Sequence, residues 1–267
     1  PAGSFAPSPS ALGRLALLPL RTLPAANPGL GGSQRVSVNV VVPVYNEERS
    51  LPLAVANLSS LLVSLPYEST ITIVDNGSTD NTSEVAASLC KASPTRVNLV
   101  QLSEKGRGLA LKAAWQGDES DVQCYTDVDL SAGLTRLPEM VESVASGEVD
   151  CAIGSRRVRG ASVKGRRPGR GLMSLCYSLM MRALFPLSAV RDAQCGLKAV
   201  SRELVENGVP LVRDGGWFFD SELLLLARRS GYRVKEFAVD WRDDPDSRVR
   251  VVSASFAMAM GLLKMRF

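Results

Sequence analysis

The sequence predicts a single-domain α/β protein with a doubly wound, mostly parallel sheet and helices on both faces. Between residues 35 and 153, apolar runs rich in Val and Ile alternate with helical patterns of about 10–15 residues, which is typical of βαβ units. With 267 residues, 45% of them hydrophobic, the chain can fill one sizeable core. Polar and acidic residues directly follow four of the predicted strands, where sheets of this class bind ligands.

The individual elements follow from the spacing of the apolar residues. Five runs of mainly β-branched and apolar residues predict strands at residues 36–42, 70–74, 97–102, 122–126 and 150–153. The intervening segments carry apolar residues at helical spacing and predict helices at residues 47–65, 80–90, 108–116 and 134–145. We therefore expect residues 35–247 to form the catalytic domain.

The two ends of the chain differ from this pattern. Residues 1–34 are rich in Pro and Gly and contain no acidic residue, so we expect a disordered leader, with a short helix or targeting remnant at residues 11–20 as the alternative. Residues 248–267 combine basic and apolar residues and predict an amphipathic helix. Such a helix either lies on a membrane surface or packs on the domain. No apolar run reaches the roughly 18 residues of a transmembrane helix.

The composition excludes several classes of enzyme. The chain contains no histidine, which rules out a Ser-His-Asp triad, a Cys-His nucleophile pair and a histidine zinc site. The five cysteines form no CxxC pair and their number is odd, which favours a reducing compartment over a disulfide framework. The net charge of +4 is too small to indicate a nucleic-acid binder by itself.

Asp127 and Asp129 lie two residues apart after the fourth predicted strand. The period of two along a strand directs both carboxylates to the same side, where they repel each other unless a cation lies between them. Oxygen ligands of this kind suit Mg²⁺ or Mn²⁺, with water and substrate phosphates completing the shell. An isolated pair would more often be two solvated turn residues, but the position at this sheet edge favours a metal site.

Two other strand ends supply candidate binding residues. Asp75 closes the second strand and faces the expected crevice, where it can accept hydrogen bonds from a base or ribose. Lys105 opens a glycine-rich turn before the third helix, whose N-terminus favours anions. The alternatives are a simple turn after Asp75, with Ser78 or Thr79 capping the next helix, and a basic capping turn at Lys105.

A basic stretch covers residues 156–170 and contains seven Arg or Lys and no acid. It is either a solvated loop or a phosphate-binding or membrane-facing loop, and its three glycines, with Gly154 just before it, indicate that it is flexible. Further along, Asp220 and Glu222 lie among apolar residues. They either cap a helix that runs to Ala227 or, for Asp220, face the acceptor side of the cleft.

Four strand-end motifs together resemble the family-2 inverting glycosyltransferases of the GT-A fold: Pro43-Val44-Tyr45-Asn46-Glu47, Val74-Asp75-Asn76-Gly77-Ser78, Lys105-Gly106-Arg107-Gly108 and Thr126-Asp127-Val128-Asp129. The later segments 192–198, 217–222 and 240–241 resemble the polyprenyl-phosphate or dolichyl-phosphate glucosyltransferase branch. The resemblance covers about residues 36–252. One departure is Asn76, where many relatives carry Asp.

The resemblance implies a role for each matching residue. Pro43, Tyr45 and Glu47 would line the nucleotide pocket, Asp75 would contact uridine, and Lys105 would lie near the base and ribose. Asp127 would contact the ribose or the metal, and Asp129 would bind the metal, Mg²⁺ or Mn²⁺, on the diphosphate. These implied roles define a nucleotide-sugar donor site.

The expected reaction moves glucose from UDP-glucose to a polyprenyl (dolichyl-type) phosphate. A phosphate nucleophile is already anionic and needs no strong base, which agrees with the lack of histidine; Arg156 and its basic neighbours would hold it. A hydroxyl acceptor would need a base, for which Asp220 is the candidate. The alternatives are mannosyl transfer from GDP-mannose and a non-catalytic nucleotide-sugar-binding module. We expect the protein at the cytoplasmic face of a membrane, peripheral or monotopic.

Overall fold

A central sheet of seven strands organises the protein. The computed structural model describes residues 35–165, 168–187, 190–242 and 251–266. Within these residues the strands, numbered β1 to β9 in chain order, are Ser37–Val44, Glu68–Asp75, Arg96–Gln101, Val122–Thr126, Cys151–Ser155, Ser162–Lys164, Leu197–Ser201, Val234–Ala238 and Asp240–Arg242. In the central sheet the strands lie in the order β3-β2-β1-β4-β7-β5-β8, and a separate two-stranded sheet pairs β6 with β9.

Helices cover both faces of the sheet. In chain order, the α-helices α1 to α8 within the described residues are Leu51–Val63, Thr82–Ala92, Arg107–Gln116, Leu137–Ala145, Pro168–Leu184, Arg202–Gly208, Phe219–Arg229 and Val251–Arg266. A short 3-10 helix, Val209–Leu211, follows α6. The arrangement confirms the predicted α/β class with helices on both faces.

The alternation of side chains along β1 divides the apolar core into two layers. Val40 and Val42 pack in one layer with residues of α1 and α4, whereas Val41 packs in the other with residues of α3 and α7. Successive residues of a strand point to opposite faces, so the valine run fills both layers. A fully buried valine run of this kind is expected for a strand that is covered on both faces.

The centre of the sheet contains an antiparallel strand that the sequence pattern did not predict. β7 lies between β4 and β5 and runs antiparallel to both, while the other neighbouring pairs of the sheet are parallel. The strand is short and carries Lys198 at its second position, fully buried. Because a charged residue rarely lies inside a strand that is buried on both faces, the segment did not have the apolar pattern of one.

The predicted elements before residue 155 are present with shifted ends. The largest shift is at α1, which begins at Leu51 and not at residue 47, because Asn46 adopts a left-handed backbone (φ 56°) and residues 45–50 form a turn. The basic stretch is also more ordered than expected. It contains strand β6, which pairs with β9, and the first turn of α5.

Several predictions concern residues outside the described part of the chain. These are the leader at residues 1–34 and the basic residues Arg166, Arg167, Arg248 and Arg250. The predicted C-terminal helix is represented by α8, which packs against α5. Among the described helices, none has the combined length and apolarity needed to cross a membrane.

Gly108, in the first turn of α3, sets how closely α3 approaches α7. A Cβ at this position would lie 2.7 Å from Cβ of Phe219 and 2.8 Å from the carbonyl carbon of Gly215. We expect Gly108→Ala to lower the free energy of unfolding by about 1–3 kcal/mol through overpacking. The measurement is urea unfolding followed by circular dichroism.

Gly169→Ala is the matched control, because a Cβ in the first turn of α5 would meet no atom within 4 Å. The control should leave stability unchanged or raise it slightly. Equal stability losses in the two variants would contradict the packing explanation.

Candidate active site

The loops after β1 and β2 are joined by side-chain hydrogen bonds. Asn46 accepts a hydrogen bond from the backbone N–H of Thr79 at 2.7 Å, and its own N–H donates to Ser78 Oγ at 2.9 Å. The N–H of Glu47 donates to Thr82 Oγ1 at 2.8 Å. These bonds hold the Pro43–Glu47 segment, predicted to line the nucleotide pocket, against the start of α2.

Asp75 is buried and its carboxylate organises the turn that follows β2. Oδ1 accepts hydrogen bonds from the N–H and hydroxyl of Ser78, and Oδ2 accepts one from the hydroxyl of Ser83. The turn is therefore present, but the helix cap predicted at Ser78 or Thr79 is not, because α2 begins after Asn81. Its contact with a nucleotide stays a prediction, and would use the acceptor capacity that these three bonds leave.

Asn76 has a structural role that the sequence did not indicate. Its Nδ2 donates to the carbonyl of Val44 at 3.1 Å, and its Oδ1 accepts from the N–H of Gly106 at 3.4 Å. The side chain thus connects the end of β1 to the turn before α3. An aspartate could not donate the first of these bonds, which gives a reason for the amide at this position.

Lys105 and Tyr45 lie against each other at the edge of the sheet. The Nζ of Lys105 is 3.3 Å from the centre of the Tyr45 ring, a cation–π contact. The two residues come from the loops after β3 and β1, and both were predicted to contact the nucleotide. The structure brings them together, although it does not test the predicted roles.

Asp127 and Asp129 follow β4, but their carboxylates have different surroundings. Asp127 Oδ1 lies 3.0 Å from Arg107 Nη2, and its Oδ2 packs over Gly196, where a Cβ would lie only 1.8 Å away. Asp129 Oδ1 accepts a hydrogen bond from the N–H of Ser131 at 2.9 Å. Burial, together with nearby Asp129, raises the pKa of Asp127, while Arg107 opposes this shift.

Arg107 is a central site residue that sequence reasoning missed. Its Nη2 contacts Asp127, donates to the Tyr125 hydroxyl at 3.0 Å, and lies 3.7 Å from Asp220. The guanidinium also lies 5.3 Å from the centre of the Trp217 ring. The signal was available, because an arginine between two glycines at a helix start is unusual, but its partners are distant in sequence.

Asp220 is buried in a network of charges and is 3% exposed. Its Oδ1 accepts a hydrogen bond from the Tyr125 hydroxyl at 2.6 Å and lies 3.1 Å from Lys198 Nζ. Lys198 also donates to the carbonyls of Ala193 and Cys195. With Arg107 and Asp127 the network holds two cations and two carboxylates, so its formal charges balance.

Neither Asp220 nor Glu222, the two predicted capping residues, caps the start of α7. The residue that accepts the first backbone N–H groups of α7 is Asp214, whose Oδ1 bonds to the N–H of Phe218 and of Phe219 at 3.1 Å each. Glu222 accepts the N–H groups of Arg213 and Asp214 and so supports this cap. Asp220 instead points into the network, and its proposed action as a base stays a prediction.

Arg156 is bound by Asp192 through two parallel contacts. Nε lies 2.7 Å from Oδ2 and Nη2 lies 2.7 Å from Oδ1, and the backbone N–H of Arg156 also donates to Asp192. The guanidinium stacks 4.5 Å from the centre of the Trp241 ring. Burial opposes the ionised form of Asp192, but the bond to Arg156 outweighs it and lowers the pKa of Asp192.

Arg157, the next residue, has guanidinium N–H groups that form no hydrogen bond within the described residues. Its Nη2 donates to Ser174 Oγ on α5 at 3.0 Å, and it forms no ion pair with any carboxylate of the described residues. Its Nε is buried and has no hydrogen-bond partner in the described part of the chain. A buried guanidinium N–H without an acceptor is costly, so this position suits an anion.

The residues present fit a divalent cation bound together with a ligand phosphate. The described residues contain no group of three or more acids, cysteines or histidines that could hold a metal alone. Asp127 and Asp129 supply two carboxylates, and Mg²⁺ or Mn²⁺ commonly takes its other ligands from water and substrate phosphates. The charge of such a cation would also relieve the raised pKa of Asp127.

Comparison with known proteins establishes the family. Residues 39–208 match the family model described as "Glycosyl transferase family 2". The chain therefore belongs to glycosyl transferase family 2 and is a glycosyltransferase.

Curated relatives have related names. Glycosyltransferase AglD of Haloferax volcanii is 38% identical over 92% of this chain and 39% of its own length. Dolichyl-phosphate beta-glucosyltransferase of Saccharomyces cerevisiae is 26% identical over 87% of this chain and 75% of its own length, and that of Homo sapiens is 28% identical over 90% and 78%. The chain thus spans well under half of AglD and about three quarters of the other two.

Solved structures agree on the fold. Glucosyl-3-phosphoglycerate synthase from Mycobacterium tuberculosis, in complex with Mn²⁺ and UDP-glucose, superposes with a TM-score of 0.61 over 98% of this chain and 84% of that chain, at 22% identity. A second structure of this enzyme, with Mn²⁺, UDP and phosphoglyceric acid, gives 0.58 over 86% and 77%, also at 22%. At this identity the likeness supports the GT-A fold alone.

The buried network generates a stability prediction. Lys198→Met removes the ammonium that lies 3.1 Å from Asp220 and leaves a buried carboxylate with less compensation. We expect the free energy of unfolding to fall by about 3–5 kcal/mol, the usual cost of breaking a buried pair from one side. Urea unfolding monitored by circular dichroism measures it.

The control is Lys235→Met, because Lys235 pairs with Glu148 at 2.7 Å on the surface, with both side chains about half exposed. Its loss should cost less than about 1 kcal/mol. A Lys198→Met variant as stable as the wild type would show that the network is not needed for folding.

Proposed function

We propose that this member of glycosyl transferase family 2 transfers glucose from UDP-glucose to a polyprenyl, dolichyl-type phosphate, with inversion and with the help of Mg²⁺ or Mn²⁺. The names of the curated relatives support the acceptor and the sugar. A neighbour of the same fold binds UDP-glucose with Mn²⁺. The observation that carries the proposal is the carboxylate pair Asp127 and Asp129 at the edge of the sheet, beside Arg107.

On the donor side, residues from three strand ends would bind the nucleotide. Tyr45 and Lys105 already lie in contact, and a uracil ring could insert beside or between them. Asp75 holds the adjoining turn and has acceptor capacity left for an N–H or hydroxyl of the nucleoside. Pro43 and Glu47 would shape the remaining wall. These assignments extend the roles implied by the family motifs.

Asp129 would be the main protein ligand of the metal, with Asp127 beside it. Asp127 is already engaged by Arg107, whereas Oδ2 of Asp129 accepts no hydrogen bond from the described residues. When bound, the metal would neutralise charge on the leaving diphosphate. Arg107 would fix the orientation of Asp127 and add a second positive charge at this edge.

On the acceptor side, the phosphate would meet the start of the basic stretch. Arg156 is committed to Asp192 and stacks on Trp241, so this neutral pair would form a rigid wall of the site. Arg157 forms no ion pair with a carboxylate of the described residues, so its guanidinium would donate to a phosphate oxygen. We therefore extend the predicted role of Arg156 to its neighbour.

The proposed reaction needs no base from the protein. An oxygen of the acceptor phosphate would attack the anomeric carbon of glucose, a new carbon–oxygen bond would form, and the bond to UDP would break with its electron pair leaving on the diphosphate. Because the acceptor is already an anion at neutral pH, no proton has to be removed. The catalytic demand on the protein is positioning and charge stabilisation.

Mannosyl transfer from GDP-mannose is the alternative among donors. No contact in the described structure discriminates a uracil from a guanine. The relative affinities for uridine and guanosine nucleotides therefore distinguish the two donors. Titration of UDP, UDP-glucose, GDP and GDP-mannose in the presence of Mn²⁺, by thermal shift and calorimetry, would overturn the UDP-glucose proposal if the guanine nucleotides bound more tightly.

The proposed metal site at Asp129 generates a prediction for donor binding. Asp129→Asn should weaken Mn²⁺-dependent binding of UDP at least about tenfold, because a neutral amide is a poorer ligand than a carboxylate. Isothermal titration with and without Mn²⁺ measures the change. Glu206→Gln, an exposed acid on α6 paired with Arg202, is the control and should bind as the wild type does. Unchanged Mn²⁺ dependence in Asp129→Asn would reject the metal site.

A further prediction distinguishes the proposed roles of the neighbouring residues Arg156 and Arg157. Arg157→Gln should raise the KM for the acceptor about tenfold while leaving UDP affinity unchanged, since it loses charge-assisted bonds to the phosphate. Arg156→Gln should instead lower the stability of the protein, because Asp192 loses its buried partner. Steady-state kinetics with a short-chain polyprenyl phosphate and urea unfolding distinguish the outcomes. An unchanged acceptor KM in Arg157→Gln would contradict the assignment.

A further inference from the structure

Helices α5 and α8 each expose an apolar face in addition to the apolar face that they bury. Within α5, Tyr177, Met181 and Phe185 just beyond its end pack into the core, while Leu172, Leu175 and Leu179 are 62%, 42% and 55% exposed. The exposed leucines recur at i, i+3 and i+7, so they lie on one side of the helix. That side is opposite the buried one.

α8 shows the same division. Met258, Leu262 and Met265 are buried, whereas Phe256, Met260 and Leu263 are 69%, 36% and 37% exposed. A helix that is apolar all round is normally buried on all sides, and a helix on a protein surface normally turns a polar face to water. Neither α5 nor α8 follows this rule among the described residues.

We take the two exposed faces as one surface, which we name the α5–α8 platform and define by Leu172, Leu175, Leu179, Phe256, Met260 and Leu263. α5 and α8 pack against each other, and their buried residues belong to the same core cluster. Two adjacent helices that bury their inner sides in one core turn their outer sides in the same direction. Contiguous exposed apolar patches of this kind mark interaction surfaces.

The charges of the two helices identify the occupant. Neither helix contains an Asp or Glu, and the sequence of α5 includes Arg170 and Arg182, while that of α8 includes Lys264 and Arg266. The side chains of Arg182, Lys264 and Arg266 are exposed. An apolar surface with basic residues and no acidic ones is complementary to a bilayer that carries anionic lipids.

We propose that the α5–α8 platform lies on an anionic lipid bilayer, with its leucines and Phe256 in the interfacial region and the basic residues at the level of the headgroups. The inference extends the proposed function, because a polyprenyl-phosphate acceptor resides in such a bilayer. Arg157 donates to Ser174 on the inner side of α5, so the helix that borders the proposed phosphate site also carries part of the platform on its outer side. The acceptor phosphate would then enter the site along α5.

The test is co-sedimentation of the full chain with large vesicles, made either of phosphatidylcholine alone or with about one third phosphatidylserine. Two platform variants are compared with the wild type: Leu172→Gln/Leu175→Gln/Leu179→Gln and Phe256→Gln/Met260→Gln/Leu263→Gln. The control is Leu53→Gln/Val63→Gln/Leu211→Gln, which replaces three apolar residues of similar exposure elsewhere on the surface. Circular dichroism verifies that every variant is folded.

We expect the wild type to bind the anionic vesicles, each platform variant to lose at least about tenfold in partition coefficient, and the control to bind within about twofold of the wild type. A milder variant guards against misfolding. Arg182→Gln/Lys264→Gln should reduce binding to the anionic vesicles about fivefold per residue and leave binding to neutral vesicles unchanged.

Three results would overturn the proposal: no binding of the wild type to either vesicle, equal losses in the control and platform variants, or a dimer that the platform variants convert to monomer without change in vesicle binding. The last result would assign the platform to a second copy of the chain. Transfer of glucose to a detergent-dispersed, short-chain polyprenyl phosphate is assayed in parallel. A chain that binds vesicles but transfers no glucose refutes the proposed function alone, and the converse refutes the membrane proposal alone.

Discussion

The pair formed by Lys198 and Asp220 is the interaction on which the rest of the site depends. Lys198 is fully buried in the central antiparallel strand, and Asp220 lies on α7 in the layer beneath it. A buried ion pair contributes little to net stability, because desolvation offsets the attraction, but it strongly disfavours any arrangement that separates the partners. The pair therefore specifies how β7 and α7 are placed relative to each other.

This placement is transmitted to the edge of the sheet through two further groups. The Tyr125 hydroxyl bridges Asp220 and Lys198, and Arg107 connects Tyr125 and Asp220 to Asp127. The four elements β4, β7, α3 and α7 each supply one of these side chains. The orientation of Asp127 is thus set by the interior of the protein and not by its own loop. Such support from buried partners is what a preorganised site requires.

The sequence predicted the elements before residue 155, and with them which residues follow each strand, because both depend on local periodicity. Predicting the strands of the valine-rich half, and the residues that follow them, required only the spacing of apolar side chains. β7 was missed because Lys198 interrupts its apolar pattern, and the lysine is explained only by Asp220, which lies on another element. Local patterns cannot reveal a charge whose partner is distant in sequence.

The same limit applied within the site. The local pattern indicates no role for Arg107, since its partner Asp127 lies twenty residues away and Asp220 still further. The predicted contact of Arg156 with the acceptor phosphate stays a prediction, and the pairing of Arg156 with Asp192 is visible only in three dimensions. The side-chain contacts of Asn46, Asn76 and Asp75 likewise needed the fold. What the sequence could supply was the list of residues at the edge, and the structure supplied their partners.

The position of β7 also has a consequence for the order in which the chain assembles. β1 to β4 are contiguous in sequence up to residue 126 and can pair soon after synthesis, but the strand that completes the centre of the sheet arrives about seventy residues later. The N–H of Asp127 donates to the carbonyl of Gly196, just before that strand, and the carboxylate of Asp127 packs on the same glycine. A nascent chain therefore carries the loops after β1 and β2 well before it carries the residues that support Asp127. The site edge is complete only when these long-range contacts close, and such contacts are the slow ones in folding.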